Sequence, residues 1–383
     1  MREKLNRITK LTSDLVGIRS ETKDQKKVGE ALDFVSNYLK DLNLQEISFK
    51  QNDVQSRLWV MPGHDFPLKI LLCGHIDVVD AEKEQYVPTI KDGIMYGRGT
   101  GDMKGHDAAM IIAMRDYVEK GGKGSVGLLL TGDEEVGGPN GARFVLEQGV
   151  STDLVFIPDG HFDFGIVESE KAPHHFHVKA TGPGGHASLA FEIDNPIEKI
   201  NKLYDEMKIK YNIADKNDTW HSTFAMTTIH TGVNSENSIA SEVDAWFSWR
   251  FPTEQMKFED GVTDIEALCQ KHGCRLITET LKNETDKVIE KGGHGGGEGC
   301  LTDLNDPSVV LWKEVIEEVL GRKVSGTFMH GATDGRIFYS KGSKVLITSA
   351  KTDNHHNAVE EWVDLKSLAQ LSEGIEKYLE LVA

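Results

Sequence analysis

Seven side chains able to bind or activate a hard metal ion punctuate the 383-residue chain: His75, Asp77, Asp102, Glu134, Glu135, Asp159 and His356. Nearly all stand where an apolar run gives way to a loop. The settings are LLCGHID at 71–77, GRGTGDMKG at 97–105, LLLTGDEEVGG at 128–138, VFIPDG at 155–160 and TDNHHNAVEEW at 352–362. Imidazole and carboxylate groups are the protein ligands of catalytic zinc, and a spare carboxylate beside them can serve as a general base. Metal-dependent hydrolysis is the chemistry such a set points to. One such acid alone would ordinarily be a solvated surface group or a helix cap; one delivered at each of several strand ends would not.

Those strand ends come from an alternating pattern. Helical periodicity predicts helices over Leu5–Leu15, 28–42, 106–120 and 140–148, and short apolar runs predict strands at 68–73, 125–131 and 153–157. Near-continuous apolar strands separated by helices imply a mostly parallel sheet covered on both faces, in which ligands gather beyond the carboxyl ends of the strands. His75 and Asp77 follow the first of these strands, Glu134 and Glu135 the second, Asp159 the third, and His356 follows KVLITSA; Asp102 lies in a Gly-rich turn before a helix. From about residue 172 the texture changes to strands (HHFHVKATG, FAMTTIHTG, VDAWFSWRF, RLITETL) mixed with helices at NPIEKINKLYDEMKIKY and 260–272. After a glycine loop at 291–299 the α/β style returns, with helices in SVVLWKEVIEEVLG and DLKSLAQLSEGIEKYLELV. The expected organisation is a catalytic domain in two parts, 1–172 and 285–383, interrupted by a small α+β domain at 173–284.

Composition narrows the partners. A net charge of −18 disfavours nucleic acid and anionic membrane. No apolar run is long enough to span a bilayer, and mean hydropathy is −0.37. The N-terminus reads as an amphipathic helix without a signal-peptide core, so a cytoplasmic protein is expected. Cys73, Cys269, Cys274 and Cys300 do not make a disulfide framework, and Cys269 and Cys274 lack a second pair at zinc-finger spacing.

In the order GHIDVV, YGRGTGDMKG, GDEEVGG, TGPGGHAS, HGATDGR and HHNAVEEW, the chain resembles the M20 family of metallopeptidases and deacylases over its whole length. Desuccinylases, deacetylases, glutamate carboxypeptidases and dipeptidases belong to that family. The resemblance implies a zinc-peptidase-like α/β catalytic domain with an inserted lid or dimerisation domain. It also implies two divalent ions, zinc or else cobalt or manganese. Carried over, Asp102 bridges the ions, His75 and Asp159 complete one shell, and Glu135 and His356 the other. Of the adjacent His355 and His356, the spacing to Glu361 and Trp362 matches the second. Asp77 would orient His75 by accepting its other ring N–H, and Glu134 would be the general base on metal-activated water.

In the inserted domain the resemblance makes His186 a stabiliser of the oxyanion, reaching the site of a partner subunit in a homodimer, and Asn237 a substrate contact. Arg250, at the end of an alternating strand, and Arg336, in HGATDGR, are candidate clamps for a substrate carboxylate, with a structural ion pair the competing reading for each; His330 is a weaker candidate of the same kind. His174, His175 and His177 read as structural and His294 as solvated.

Asp159 departs from one branch of the family. Deacylases and carboxypeptidases tend to carry Glu there, aminopeptidases and dipeptidases Asp, and PDG before an aromatic-containing segment is also dipeptidase-like. The compact inserted domain points instead to the desuccinylase and deacetylase branch. The expected reaction is hydrolysis of the amide bond of an N-acyl amino acid or small peptide next to a free carboxylate, with a dipeptidase or carboxypeptidase as the alternative. A non-catalytic relative that binds a small metabolite or peptide is the remote one.

Overall fold

The computed structural model describes residues 2–233, 235–277, 297, 299–353 and 360–382. In chain order the first part comprises α1 (Arg2–Val16), α2 (Gln25–Leu39), β1 (Gln45–Gln51), β2 (Val54–Val60), β3 (Leu68–His75), β4 (Thr89–Lys91), β5 (Ile94–Tyr96), α3 (Lys104–Glu119), β6 (Val126–Thr131), α4 (Ala142–Glu147) and β7 (Thr152–Ile157). The middle follows with β8 (Ile166–Thr181), β9 (Gly185–His186), α5 (Pro196–Tyr211), β10 (Thr223–His230), β11 (Ser238–Ile239), β12 (Glu242–Pro252), α6 (Phe258–Lys271) and β13 (Cys274–Ile277). The end adds α7 (Pro307–Leu320), β14 (Gly326–Met329), α8 (Gly335–Ser340), β15 (Lys344–Ile347), β16 (Trp362–Asp364) and α9 (Leu365–Val382).

These elements form two compact units. The larger comprises Met1–Glu168, Leu301–Met329 and Thr333–Ala383, and the smaller Ser169–Cys300 with His330–Ala332. The boundary expected at 172/173 compares with 168/169 here, and the one expected at 284/285 lies outside the described residues.

The larger unit is built on a six-stranded sheet in the order β1–β2–β6–β3–β7–β15. Its centre is parallel: β3 pairs with β6 on one side and β7 on the other, and β15 pairs with β7. The sheet is nonetheless mixed, because β1 and β2 form an antiparallel hairpin added to β6. The hairpin turns at Asn52 and Asp53, both with positive φ, as a two-residue turn between right-twisted strands requires. Every residue of β6 is buried, and so is all of β3 except Lys69, which explains why both read as continuous apolar runs. One face of the sheet supports α3, whose residues Ala108–Met114 are all buried between the strands and the flanking α1 and α9. The short helix α8 packs against β7 and β15. A second, three-stranded sheet, β16–β5–β4, joins Trp362–Asp364 to the segment just before the Asp102 turn.

In the smaller unit antiparallel strands lie in the order β10–β12–β8–β13. Along β12, Val243, Ala245, Phe247, Trp249 and Phe251 alternate into the core with the period of two that one covered face demands. There they meet Ile200, Leu203 and Met207 of α5 and Ile265 and Leu268 of α6. Helix α5 starts where Asn195 accepts the Ile197 amide at 3.0 Å and Pro196 occupies its first turn. All four cysteines are buried free thiols.

Candidate metal centre

Parallel registry brings the chemistry to one edge of the sheet. His75, the last residue of β3, pairs with Thr131, the last of β6. Strand β7 runs parallel beside β3 and ends at Ile157, which pairs with Ile347 at the end of β15. Asp77, Glu134 and Glu135, and Asp159 therefore leave the sheet on the same side, each two to four residues beyond a strand end. Asp102 arrives separately, in the turn before α3.

One nitrogen of His75 and one oxygen each of Asp102 and Glu135 lie within 4.8 Å of one another, the one such grouping of three or more potential metal ligands among the described residues. The imidazole is oriented for the purpose. Its Nδ1–H donates to the Asp77 backbone carbonyl at 3.0 Å, and Nε2 faces Asp102 Oδ1 at 3.0 Å. A carbonyl can only accept, so the proton belongs on Nδ1 and Nε2 is the nitrogen offered to an ion.

Asp77 meets the His75 ring through both its main chain and its side chain. The His75 ring is steered mainly by the Asp77 main chain, with the carboxylate Oδ1 farther off at 3.5 Å. The carboxylate is also engaged elsewhere: Oδ2 accepts from the Thr22 hydroxyl at 2.7 Å and Oδ1 from the Glu134 amide at 3.3 Å. Asp77 thus fixes the ligand His75 with its backbone and the start of the Glu134–Glu135 turn with its side chain.

That turn is a single 3-10 turn, Glu134–Val136, ended by Gly137 and Gly138 at φ 92° and 66°. A side chain would be strained in that left-handed region, and a Cβ on Gly138 would also lie 2.3 Å from Asp334 Oδ1. Glu134 Oε2 is 3.9 Å from His75 Nε2, close to the ligand group without belonging to it.

Charge is crowded here. Burial pushes the Glu134 carboxyl well above the usual range, and Asp334, Asp159 and Glu135 add to the rise. Burial raises Glu135 likewise, with Asp102, Asp77 and Asp159 contributing. For His75, burial favours the neutral ring, but hydrogen bonds with Asp102 and Asp77 and the charge of Glu134 outweigh it and hold the pKa well above its ordinary value. The carboxyl groups of Asp77, Asp102, Glu134 and Glu135 gathered around one imidazole at a sheet edge are a donor set that a divalent cation would neutralise, so the residues fit a metal centre. His356 lies outside the described residues, as do His355 and His294.

Several supporting residues carry no signal in local sequence. Thr22 holds Asp77 from 55 positions away. Asp334, raised to about 6 by burial against the opposing charges of His75 and Arg336, accepts from the Thr131 hydroxyl at 3.1 Å. Asp133, raised to about 7 chiefly by burial, accepts the Asn140 amide at 2.8 Å. Asp107 lies fully buried beneath Gly74, where any Cβ would fall 2.2 Å from its Oδ1. Arg336 is buried, and its Nη2 donates to the Gly137 carbonyl at 2.9 Å, which places it in support of the Glu134–Glu135 turn.

The smaller unit gathers its own candidates. His186 in β9 pairs with Ser238 in β11, and the Ala187 amide donates to the Asn237 carbonyl at 2.9 Å, so His186 and Asn237 are neighbours. His186 is exposed, its Nδ1 2.8 Å from Ser188 Oγ. Arg250, half-buried, stands on the sheet face opposite the core, paired with Pro173 and Thr223. His330 meets the Trp220 ring edge-on at 5.7 Å. His174 is buried against Phe176 and Trp249. His177 Nε2 lies 2.7 Å from Asp244 Oδ1, 67 residues away in sequence, and its ring stacks on Trp246.

Residues 71–383 match the model of peptidase family M20/M25/M40. The chain belongs to this family. It is therefore a metal-dependent hydrolase, with the α/β catalytic fold of that family. It is 27% identical to a succinyl-diaminopimelate desuccinylase of Thioalkalivibrio sulfidiphilus, covering 96% of this chain and 98% of the relative. A desuccinylase of Hahella chejuensis is 28% identical over 88% of this chain and 89% of its own. Among solved structures the fold is shared with an M20 family metallo-carboxypeptidase from Sulfolobus solfataricus, at TM-score 0.77 and 16% identity, covering 98% and 99% of the two chains. It is shared too with a dinuclear metal-binding M20 peptidase from Bacillus subtilis, at TM-score 0.68 and 14% identity, covering 100% and 99%. Among the described residues, no helix of this M20 chain is long and apolar enough to cross a membrane.

Proposed function

We propose that this chain hydrolyses the amide bond of an N-acyl amino acid or small peptide carrying a free carboxylate, with Glu134 as the general base. The observation that carries this reading is the separation of two adjacent acids: Glu135 belongs to the cluster of ligand atoms, while Glu134, 3.9 Å from His75 Nε2, stands beside it. Asp102 would lie between two ions, His75 and Asp159 on one and Glu135 and His356 on the other. Zinc is the proposed metal, and cobalt or manganese suit the same donors. Bound there, the ions would polarise the scissile carbonyl and lower the pKa of the attacking water.

The chain's own residues do the rest. Glu134, its amide anchored to Asp77, takes the proton from water and delivers it to the leaving nitrogen. His75 stays oriented by its Nδ1–H bond throughout. As further proposals, Arg250 or Arg336 clamps the substrate carboxylate, His186 stabilises the oxyanion in the site of a partner subunit, and Asn237 contacts the substrate.

The desuccinylase relatives support an acyl group such as succinyl. Asp159 favours the alternative, a dipeptidase or carboxypeptidase, and solved structures sharing the fold include a dipeptidase of Saccharomyces cerevisiae. A screen of N-succinyl and N-acetyl amino acids against dipeptides, with Zn²⁺, Co²⁺ or Mn²⁺ added, decides between them. Turnover of an N-acyl amino acid is expected, and esterifying its carboxylate should raise KM at least about tenfold, the worth of one charge-assisted hydrogen bond. Cleavage of dipeptides alone selects the alternative; saturable binding with no turnover rejects an enzyme.

Dimerisation is proposed through the smaller unit. Strand β10 ends the strand order, Thr227–His230 are exposed, and Ile209 and Ile213 on and beyond α5 are 85% and 57% exposed. Such an edge can pair with its own copy. Sedimentation should give twice the 42.5 kDa chain mass, and Ile229→Glu should shift the protein to monomer. A fully active wild-type monomer contradicts this. Buried thiols at all four cysteines support a reducing, cytoplasmic setting.

A further inference from the structure

We infer that Glu361 is a positioning residue for the metal centre: it holds the turn that presents Asp102 and joins that turn to the segment following His356. The inference rests on the dinuclear reading proposed above.

Glu361 is 3% exposed, and its carboxylate receives four hydrogen bonds. Oε2 accepts from the Gly99 amide at 2.9 Å and from Arg98 Nη1 at 2.8 Å. Oε1 accepts from the Gly101 amide at 2.8 Å and from the amide of Asp102 itself at 3.0 Å. Three backbone donors of the loop, Gly99, Gly101 and Asp102, thus converge with the Arg98 guanidinium on one side chain. The main chain adds a second clip. The Gly97 amide donates to the Glu361 carbonyl at 3.0 Å, and Trp362 pairs with Tyr96.

A glycine-rich turn has little conformational preference of its own, so without an anchor the Asp102 carboxylate would sample many positions. Both oxygens of Glu361 are needed, because each serves a different part of the turn. In sequence the same side chain stands five residues after His356. An amide in its place keeps the volume but brings two N–H donors against backbone N–H groups and Arg98, and removes the charge that balances a buried guanidinium.

The test is Zn²⁺ titrated by calorimetry into chelator-treated full-length protein, with far-UV circular dichroism and the unfolding midpoint recorded on the same samples. Wild type is expected to bind two equivalents. Glu361→Gln should keep the secondary structure while its Zn²⁺ affinity falls about 10–100-fold, the usual cost of losing a group that orients metal ligands. Glu361→Asp, which keeps the charge at shorter reach, should recover part of the loss; if the Gln variant does not fold, the Asp variant carries the test with an affinity several-fold below wild type. A folded variant that binds Zn²⁺ like wild type overturns the role of Glu361 and leaves the metal centre standing. A wild type that binds no Zn²⁺ overturns the dinuclear reading itself, and the inference with it.

Discussion

Glu134→Gln is expected to lower kcat by about 10²–10⁴-fold, the range a positioned general base contributes, while the protein retains its full metal content. A thousandfold loss corresponds to about 4 kcal/mol of barrier. The substitution is nearly isosteric and leaves the Glu134 amide bond to Asp77 in place, so the turn should keep its shape. What disappears is the only property a base needs, a basic oxygen. The side chain is half-buried beside Asp334, Asp159 and Glu135, whose charges oppose its ionisation, so removing one acid relieves repulsion. The variant should therefore unfold no earlier than wild type. Kinetics with the best substrate, metal content by mass spectrometry and a thermal melt together check the prediction. A variant keeping more than about a tenth of wild-type kcat would mean that another group takes the proton.

The architecture of the site was legible where burial leaves a mark on sequence. Strands β3, β6 and β7 are buried on both faces and so spell uninterrupted apolar runs, and the acids just beyond them stand out against that background. The β1–β2 hairpin was not legible. The residues of β1, QEISFKQ, are exposed or only partly buried, so their alternation is too weak to mark a strand, and the hairpin's antiparallel addition to the sheet followed unseen. Strands β4, β5 and β16 are three residues each, too short for any period to register.

Within the site, residue types were legible and their exact atoms were not. Asp77 beside His75 suggested a carboxylate–imidazole bond. In the structure the Asp77 carbonyl lies 3.0 Å from Nδ1 and the carboxylate 3.5 Å, and that carboxylate also accepts from Thr22 and the Glu134 amide. Glu361 served in the sequence only as a spacing mark after His356, since nothing local says that one acid will collect donors from 260 residues earlier. Thr22, Asp107 and Asp334 were missed for the same reason: buried partners brought together by topology leave no pattern in a single strand of text.

The second large effect concerns the metal. Donor atoms of Asp102 and Glu135 lie within 4.8 Å of a His75 nitrogen, with Asp77 and Glu134 beside the same ring, so removing bound ions should abolish turnover and leave a fold still held by the sheet and its helices. The ions bind the native chain, so stripping them should also lower the unfolding free energy by about 3–4 kcal/mol for each ion that had been present at a hundred to a thousand times Kd. Glu361→Gln and metal removal should then act on the same quantity by different routes, one by loosening Asp102 and the other by emptying its surroundings.

The most direct measurement is hydrolysis of the best N-acyl amino acid by one preparation, before chelation, after chelation and during stepwise return of Zn²⁺. Activity falling to background and returning in proportion to added metal, to a plateau near two equivalents per chain, is the predicted result. Undiminished hydrolysis by protein shown to hold no metal would contradict the account.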